Sequence, residues 1–299
     1  MTAISATDAA LEGFRITRER PKVVAGWALF LLATNILWAL ITVILPEDAR
    51  AALAKIASQE APDAQELLDA LAAAAPLLLI GLLVQRTMDA AVYRLMLRPQ
   101  DSRFAYLRLG PDEIRLCMLR LIFLAMTILY IAVVQFGIVI LSFTASPFGD
   151  AARLFVASLG ELVSWGVLLL LTVRLSLASV LTFERRKLSF FASWDLTKGL
   201  FWRILGIQLL AVCCIAVLGI LVFVIWSSVS GAILLLNGGS LGDLSKIMQP
   251  SDVSLKAYLN PVVLAYSIIG TLFTAIYSAV IPAPGAFIYQ HLKQDGRVS

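Results

Sequence analysis

The sequence predicts an all-α, polytopic membrane protein: six transmembrane helices in three hairpins, with cytoplasmic amphipathic elbow helices. Three observations carry this. The 299-residue chain is 60% hydrophobic and only 15% charged, where soluble domains carry about 25% charged residues. Its mean hydropathy is +0.88, so much of its surface must face something other than water. Its apolar residues also gather into six runs, near 23–45, 76–97, 114–142, 153–181, 203–235 and 260–290. Each is long enough for a helix to cross a hydrocarbon core about 30 Å thick.

The distribution of Lys and Arg orients the spans. Fifteen lie on one side: Arg15, Arg18, Arg20 and Lys22; Arg98, Arg103, Arg108 and Arg115; Arg185, Arg186, Lys187, Lys198 and Arg203; Lys293 and Arg297. The opposite loops hold five, Arg50, Lys55, Arg153, Lys246 and Lys256. The positive-inside bias puts the fifteen, and both termini, in the cytoplasm. The first run follows a polar, charged stretch and is too long for a signal-peptide h-region, so it reads as an uncleaved anchor.

Each odd-numbered span follows a mixed aromatic and basic stretch. These are "GFRITRERPKVVAG" before the first, "FAYLRLGPDEIRL" before the third and "FASWDLTKGLFWRILG" before the fifth. An offset of 88 residues pairs Tyr106 with Trp194, Arg86 with Arg174, Arg98 with Arg186 and Arg115 with Arg203. We read the chain as one transmembrane domain, 1–299, with internal repeats over about 8–97, 98–181 and 188–290. Each repeat is an elbow followed by a hairpin of two spans, a common way to build membrane bundles. Pro21, Gly110–Pro111 and Gly199 mark the breaks between elbow and span. Amphipathic elbows of this composition rest in the headgroup layer. Two roles stay open for them: anchoring the bundle, or lining a lipid-headgroup site.

Between the first two spans, 46–76 is Ala-rich and acidic, with Leu67, Leu68, Leu71 and Ala75 at helical spacing, which predicts one or two short helices. Residues 237–259 begin with a Gly-rich breaker cluster. In the sixth span, Pro282 and Pro284 should produce a kink.

Charged residues inside spans are costly and need partners. Arg86 and Asp89 share a helix face and could pair; Arg94 is expected to snorkel; Arg174 has only the distant Glu161 on its own helix. Gathered at a bundle centre, Arg86, Asp89 and Arg174 would be net positive and suit a phosphate or carboxylate. As residues of the cytoplasmic ends, they would instead be satisfied by one another and by lipid phosphates. Thr34, Thr42, Thr172, Asn35, Gln135 and Gln208 read as helix–helix hydrogen-bond formers. The candidate binding residues are therefore Arg86, Asp89, Arg174, Trp194, Lys198 and Arg203.

Catalytic and metal sites are not expected. Cys117, Cys213 and Cys214 lie in or at the start of apolar runs without metal or redox spacing, and one His, His291 in the C-terminal tail, makes no catalytic set by itself. Walker, GxGxxG and HExxH patterns are absent from the sequence. The net charge of +4 follows from membrane topology, so nucleic acid need not be invoked, and no cofactor is expected.

"FASWDLTKGLFWRILG", "FAYLRLGPDEIRL" and the closing "PAPGAFIYQHL" together resemble a group of six-helix bacterial inner-membrane proteins. That group is similar to the membrane domain attached to some glycerophosphodiester phosphodiesterases. The resemblance implies a multi-pass bundle in the cytoplasmic membrane of a proteobacterium. The hydrolase domain of those fusions has no counterpart here, so its activity does not carry over, and no functional residue of the group can be placed on this chain. The leading expectation is a non-enzymatic membrane protein that binds or organises phospholipid in envelope homeostasis. The alternatives are a transporter of a small anionic or amphiphilic solute and a structural or assembly partner of another membrane protein. A membrane-protein partner and a homo-oligomer both stay open.

Overall fold

The computed structural model describes residues 5–45, 64–236 and 261–296. Among them the chain is helical throughout, with six helical stretches long and apolar enough to cross a membrane. In chain order the helices are α1 (Ala6–Glu19), α2 (Pro21–Ile44), α3 (Ala64–Leu97), α4 (Pro111–Ala145), α5 (Asp150–Arg174), α6 (Ala178–Arg185), α7 (Phe190–Leu196), α8 (Phe201–Leu236), α9 (Pro261–Val280) and α10 (Ala283–Gln294). A tight turn at Arg103–Tyr106 separates α3 from α4.

The predicted breaks are where the sequence places them. Pro21 and Pro111 open α2 and α4, positions where the missing N–H costs nothing. Gly199, at φ +75°, lies between α7 and α8. The sixth span divides at Ile281–Pro282, with Pro284 in the first turn of α10. Two readings need correction. The segment before the second span is not a separate short helix followed by a span starting at 76. One helix runs from Ala64 through Pro76 to Leu97, because Ala, Leu and Glu propagate a helix readily. Residues 46–63 and 237–260 lie outside the described residues. The fourth span is also not continuous to 181: it is interrupted at 175–177, for a reason given below.

The chain divides into two compact units. One comprises residues 1–9, 109–209 and 284–299; the other comprises 10–108 and 210–283. In the first, α4 and α5 form a long antiparallel hairpin turned at Ser146–Phe148 and Gly149. Its helices meet closely where Gly160 faces Ile138: a Cβ there would fall 2.8 Å from the Ile138 side chain. Inside this hairpin the Gln135 amide donates to Glu161 at 2.9 Å, and the Tyr130 hydroxyl donates to the Ser164 carbonyl at 3.1 Å. Gln135 is thus a true interhelical bond former. Thr34, Thr42 and Thr172 are not, since each hydroxyl donates to the carbonyl four residues back on its own helix, as Thr does when no partner is in reach.

In the second unit α2 packs most extensively on α9 and also touches α3. Its buried core joins Trp27 and Leu31 of α2, Met88 and Val92 of α3, Ile16 of α1, Tyr106, and the small Ala275 and Ala279 of α9. Small residues let the backbones approach. The approach is closest at Gly13 of α1, where a Cβ would stand 2.3 Å from the Val280 Cα.

The 103–106 turn is wound the wrong way. Phe104 (φ 51°, ψ 43°), Ala105 (φ 54°, ψ 36°) and Tyr106 (φ 66°) all have left-handed backbones, at about 1–2 kcal/mol each for L-residues. Three hydrogen bonds oppose that cost: the Trp27 indole N–H donates to the Ala105 carbonyl (2.8 Å), Arg94 Nη1 to the Tyr106 carbonyl (3.0 Å) and the Tyr106 hydroxyl to the Pro99 carbonyl (3.1 Å). Bonds of this kind contribute about 0.5–1.5 kcal/mol each, and more from a charged donor. Arg94 therefore does not snorkel. It is 1% exposed, drawn inward because the turn offers it a carbonyl.

Gly13→Ala places its methyl against backbone that cannot yield. It should destabilise the protein by about 3 kcal/mol, the upper range for overpacking, seen as a lowered midpoint for unfolding in mixed detergent micelles.

Candidate functional site

The interruption of the fourth span builds the site. At the end of α5 the Ala178 N–H bonds to the Leu175 carbonyl instead of reaching back to Arg174, and the Ser176 hydroxyl caps Val173. The Arg174 carbonyl is thereby released from the helix ladder. The buried Ser193 of α7 takes it, its Oγ donating at 2.7 Å; the buried Thr197 Oγ1 lies 3.3 Å from the same carbonyl and makes its shorter bond, 2.9 Å, to the Ser193 carbonyl one turn back. Their spacing of four residues puts both on one face of α7 and its continuation. This docking fixes Trp194, which lies between them in sequence, with its ring centroid 5.5 Å from the Arg174 guanidinium carbon. That is cation–π range.

Arg174 itself is half-buried. Its Nε and Nη1 are inaccessible to solvent and find no hydrogen-bond acceptor among the described residues. A guanidinium carries five donors and keeps its charge. Buried donors left unsatisfied cost about 1–3 kcal/mol each. The arrangement is a cation held against an aromatic face, with two of its donors closed to solvent and unpaired among the described residues. Nearby, Phe190 packs edge-on against Phe123 at 5.1 Å, whereas Phe191 is 85% exposed. Arg185, the last residue of α6, and Arg186 and Lys187, which follow it, are exposed.

Of the six residues singled out from sequence, the structure joins Arg174 with Trp194. Lys198 is taken up by an exposed pair with Asp195 at 2.8 Å, worth little in water. Arg203 is exposed on the first turn of α8. Arg86 and Asp89 pair on α3 at 2.6 Å, with both side chains mostly buried. That charge is met on its own helix and belongs to the second unit, whereas Arg174 belongs to the first. Sequence reasoning missed Ser193 and Thr197, although their spacing beside Trp194 was a usable signal. It also missed the Trp27–Arg94 clamp, for which Arg-Phe-Ala-Tyr carries no signal: neither Gly nor Asn announces a left-handed turn. His291 lies within α10, its ring 4.3 Å from that of Phe287.

Fold and geometry together define an all-α, multi-pass membrane protein with a cationic, aromatic-backed site at the end of one span. No family model, curated protein or solved structure matches the chain.

Replacing Ser193 with Ala together with Thr197 with Val would strand the Arg174 carbonyl. The expected loss is about 1–3 kcal/mol, read as a shifted unfolding midpoint in mixed micelles; an unchanged midpoint would show that the hydroxyls do not hold the elbow.

Proposed function

We propose that this chain is a non-enzymatic integral membrane protein that holds anionic phospholipid at the basic ends of its spans, as a component of envelope homeostasis. One observation carries the reading: the half-buried Arg174 guanidinium, backed by Trp194, has two buried donors without an acceptor among the described residues. The side of the spans rich in Lys and Arg is where anionic headgroups gather, each basic residue near the surface being worth about 1 kcal/mol. Trp favours the same depth. Lipid phosphate then supplies the oxyanion, and the surrounding Arg185, Arg186 and Lys187 add long-range attraction. We place the protein in a bacterial inner membrane with the Arg174 end and both termini in the cytoplasm, in keeping with the charge asymmetry of its loops.

The chemistry asks for a phosphate oxyanion, so the test separates lipid from free phosphate. Protein released from nanodiscs containing phosphatidylglycerol should retain that lipid in native mass spectra. Arg174→Gln should lower retention roughly tenfold, which is 1.4 kcal/mol. Inorganic phosphate should not displace the lipid from the native protein. Retention unchanged by the substitution removes the reading, and displacement by phosphate reassigns the site to a soluble anion.

The orientation is tested separately. With the native cysteines replaced, an impermeant maleimide should label Asp195→Cys only after cells are opened, and Gly149→Cys in intact spheroplasts.

A further inference from the structure

The 103–106 turn belongs to the second unit and has a backbone that its sequence does not explain. A left-handed backbone is cheapest with Gly or Asn, yet the chain places Phe104 there, and its side chain is 87% exposed. Backbone held in a sparsely populated conformation by buried partners is a recurrent mark of functional positions. The partners here are substantial. Trp27 is fully buried and Arg94 nearly so, and Gly26 leaves room for the turn, since a Cβ on it would approach the Ala105 methyl to 3.0 Å.

The clamp also sets the height of the turn. Trp27 lies six residues into α2, and Arg94 three residues before the end of α3. At 1.5 Å per residue the two donors sit roughly 9 Å and 5 Å inside their helix ends, at the boundary between apolar span and polar headgroup. The backbone carbonyls of residues 105 and 106 face inward to these donors while Phe104 faces outward at the same level. Arg103 and Arg108 flank it and are exposed. From 98 to 108 the chain carries Arg98, Arg103 and Arg108 against the single acid Asp101.

We propose that the 103–106 turn is a membrane-surface anchor, built so that Phe104 enters the headgroup layer of an anionic leaflet while Arg103 and Arg108 engage lipid phosphates. The left-handed winding serves this geometry. It lets two successive carbonyls be captured from the protein side while the aromatic ring leaves on the lipid side. The occupant is the lipid surface itself, identified by charge and by the depth of the clamp. The inference does not depend on lipid binding at Arg174.

The test uses the full chain with Cys117, Cys213 and Cys214 replaced by Ser and a nitroxide label at Phe104→Cys. In nanodiscs of phosphatidylcholine mixed with phosphatidylglycerol the label should be open to oxygen and shielded from a water-soluble nickel complex. Trp27→Phe, which keeps the packing and removes the indole donor, should raise nickel accessibility severalfold; Arg174→Gln should leave it unchanged. A label as open to nickel as an aqueous loop overturns the proposal, as does a label whose depth ignores Trp27→Phe. A second variant guards against misfolding. Phe104→Asn suits the left-handed backbone but cannot insert, so it should match the native protein's melting temperature in pure phosphatidylcholine. It should lose the rise in melting temperature that phosphatidylglycerol confers, and so should Arg103→Gln combined with Arg108→Gln. Retention of that rise in Phe104→Asn, or a soluble protein bound at the turn in place of lipid, also overturns the anchor.

Discussion

In hydrocarbon a backbone carbonyl has no water to turn to, so every interruption of a spanning helix must find its acceptor's partner within the protein. The features of this chain that differ from plain helix follow from that constraint. Where α5 ends, the Arg174 carbonyl is taken by the Ser193 hydroxyl, with the Thr197 hydroxyl beside it. Where the chain turns at 103–106, the indole of Trp27 and the guanidinium of Arg94 take the Ala105 and Tyr106 carbonyls. In both places a connecting segment is tied to a span end by side chains reaching across, and the same bonds aim an aromatic residue: Trp194 at Arg174, Phe104 outward.

Charge within the spans obeys a related rule. Isolated ions cost several kcal/mol in lipid, and most here are met locally. Arg86 closes on Asp89 three residues along its own helix. Glu161, well inside the α4–α5 hairpin, accepts from Gln135 of the facing helix. Arg174 differs. Its ring partner stabilises the charge but accepts no conventional hydrogen bond, which sets this arginine apart from the paired ones and makes it the centre of the functional reading. The three stretches that precede the odd-numbered spans differ in form: the first is the 14-residue helix α1, the second a left-handed turn, and the third the short helix α7, about two turns long.

How much was legible beforehand depends on whether a feature is local. The spans and their Pro and Gly boundaries are local, because apolar length and backbone stereochemistry act over a few residues. The Arg86–Asp89 pair was legible because three residues on a helix always share a face. The break at 175–177 was not, because "LSL" is an ordinary helical run. It breaks in company with a hydroxyl 19 residues away, that of Ser193, which takes the carbonyl. Arg94 misled for the same reason. Near a span end a long cation normally reaches for headgroups, and only the tertiary position of the Tyr106 carbonyl turns it inward.

By itself, the sequence determined that this is a helical membrane protein, where its spans fall and which ends are basic, since partitioning and helix formation are set by composition and short-range pattern. Tertiary structure decided which carbonyls are released and who captures them, that Trp194 backs Arg174, and that Phe104 faces out. Those outcomes depend on which distant donors arrive within about 3 Å of an acceptor, a condition that no short stretch of sequence encodes.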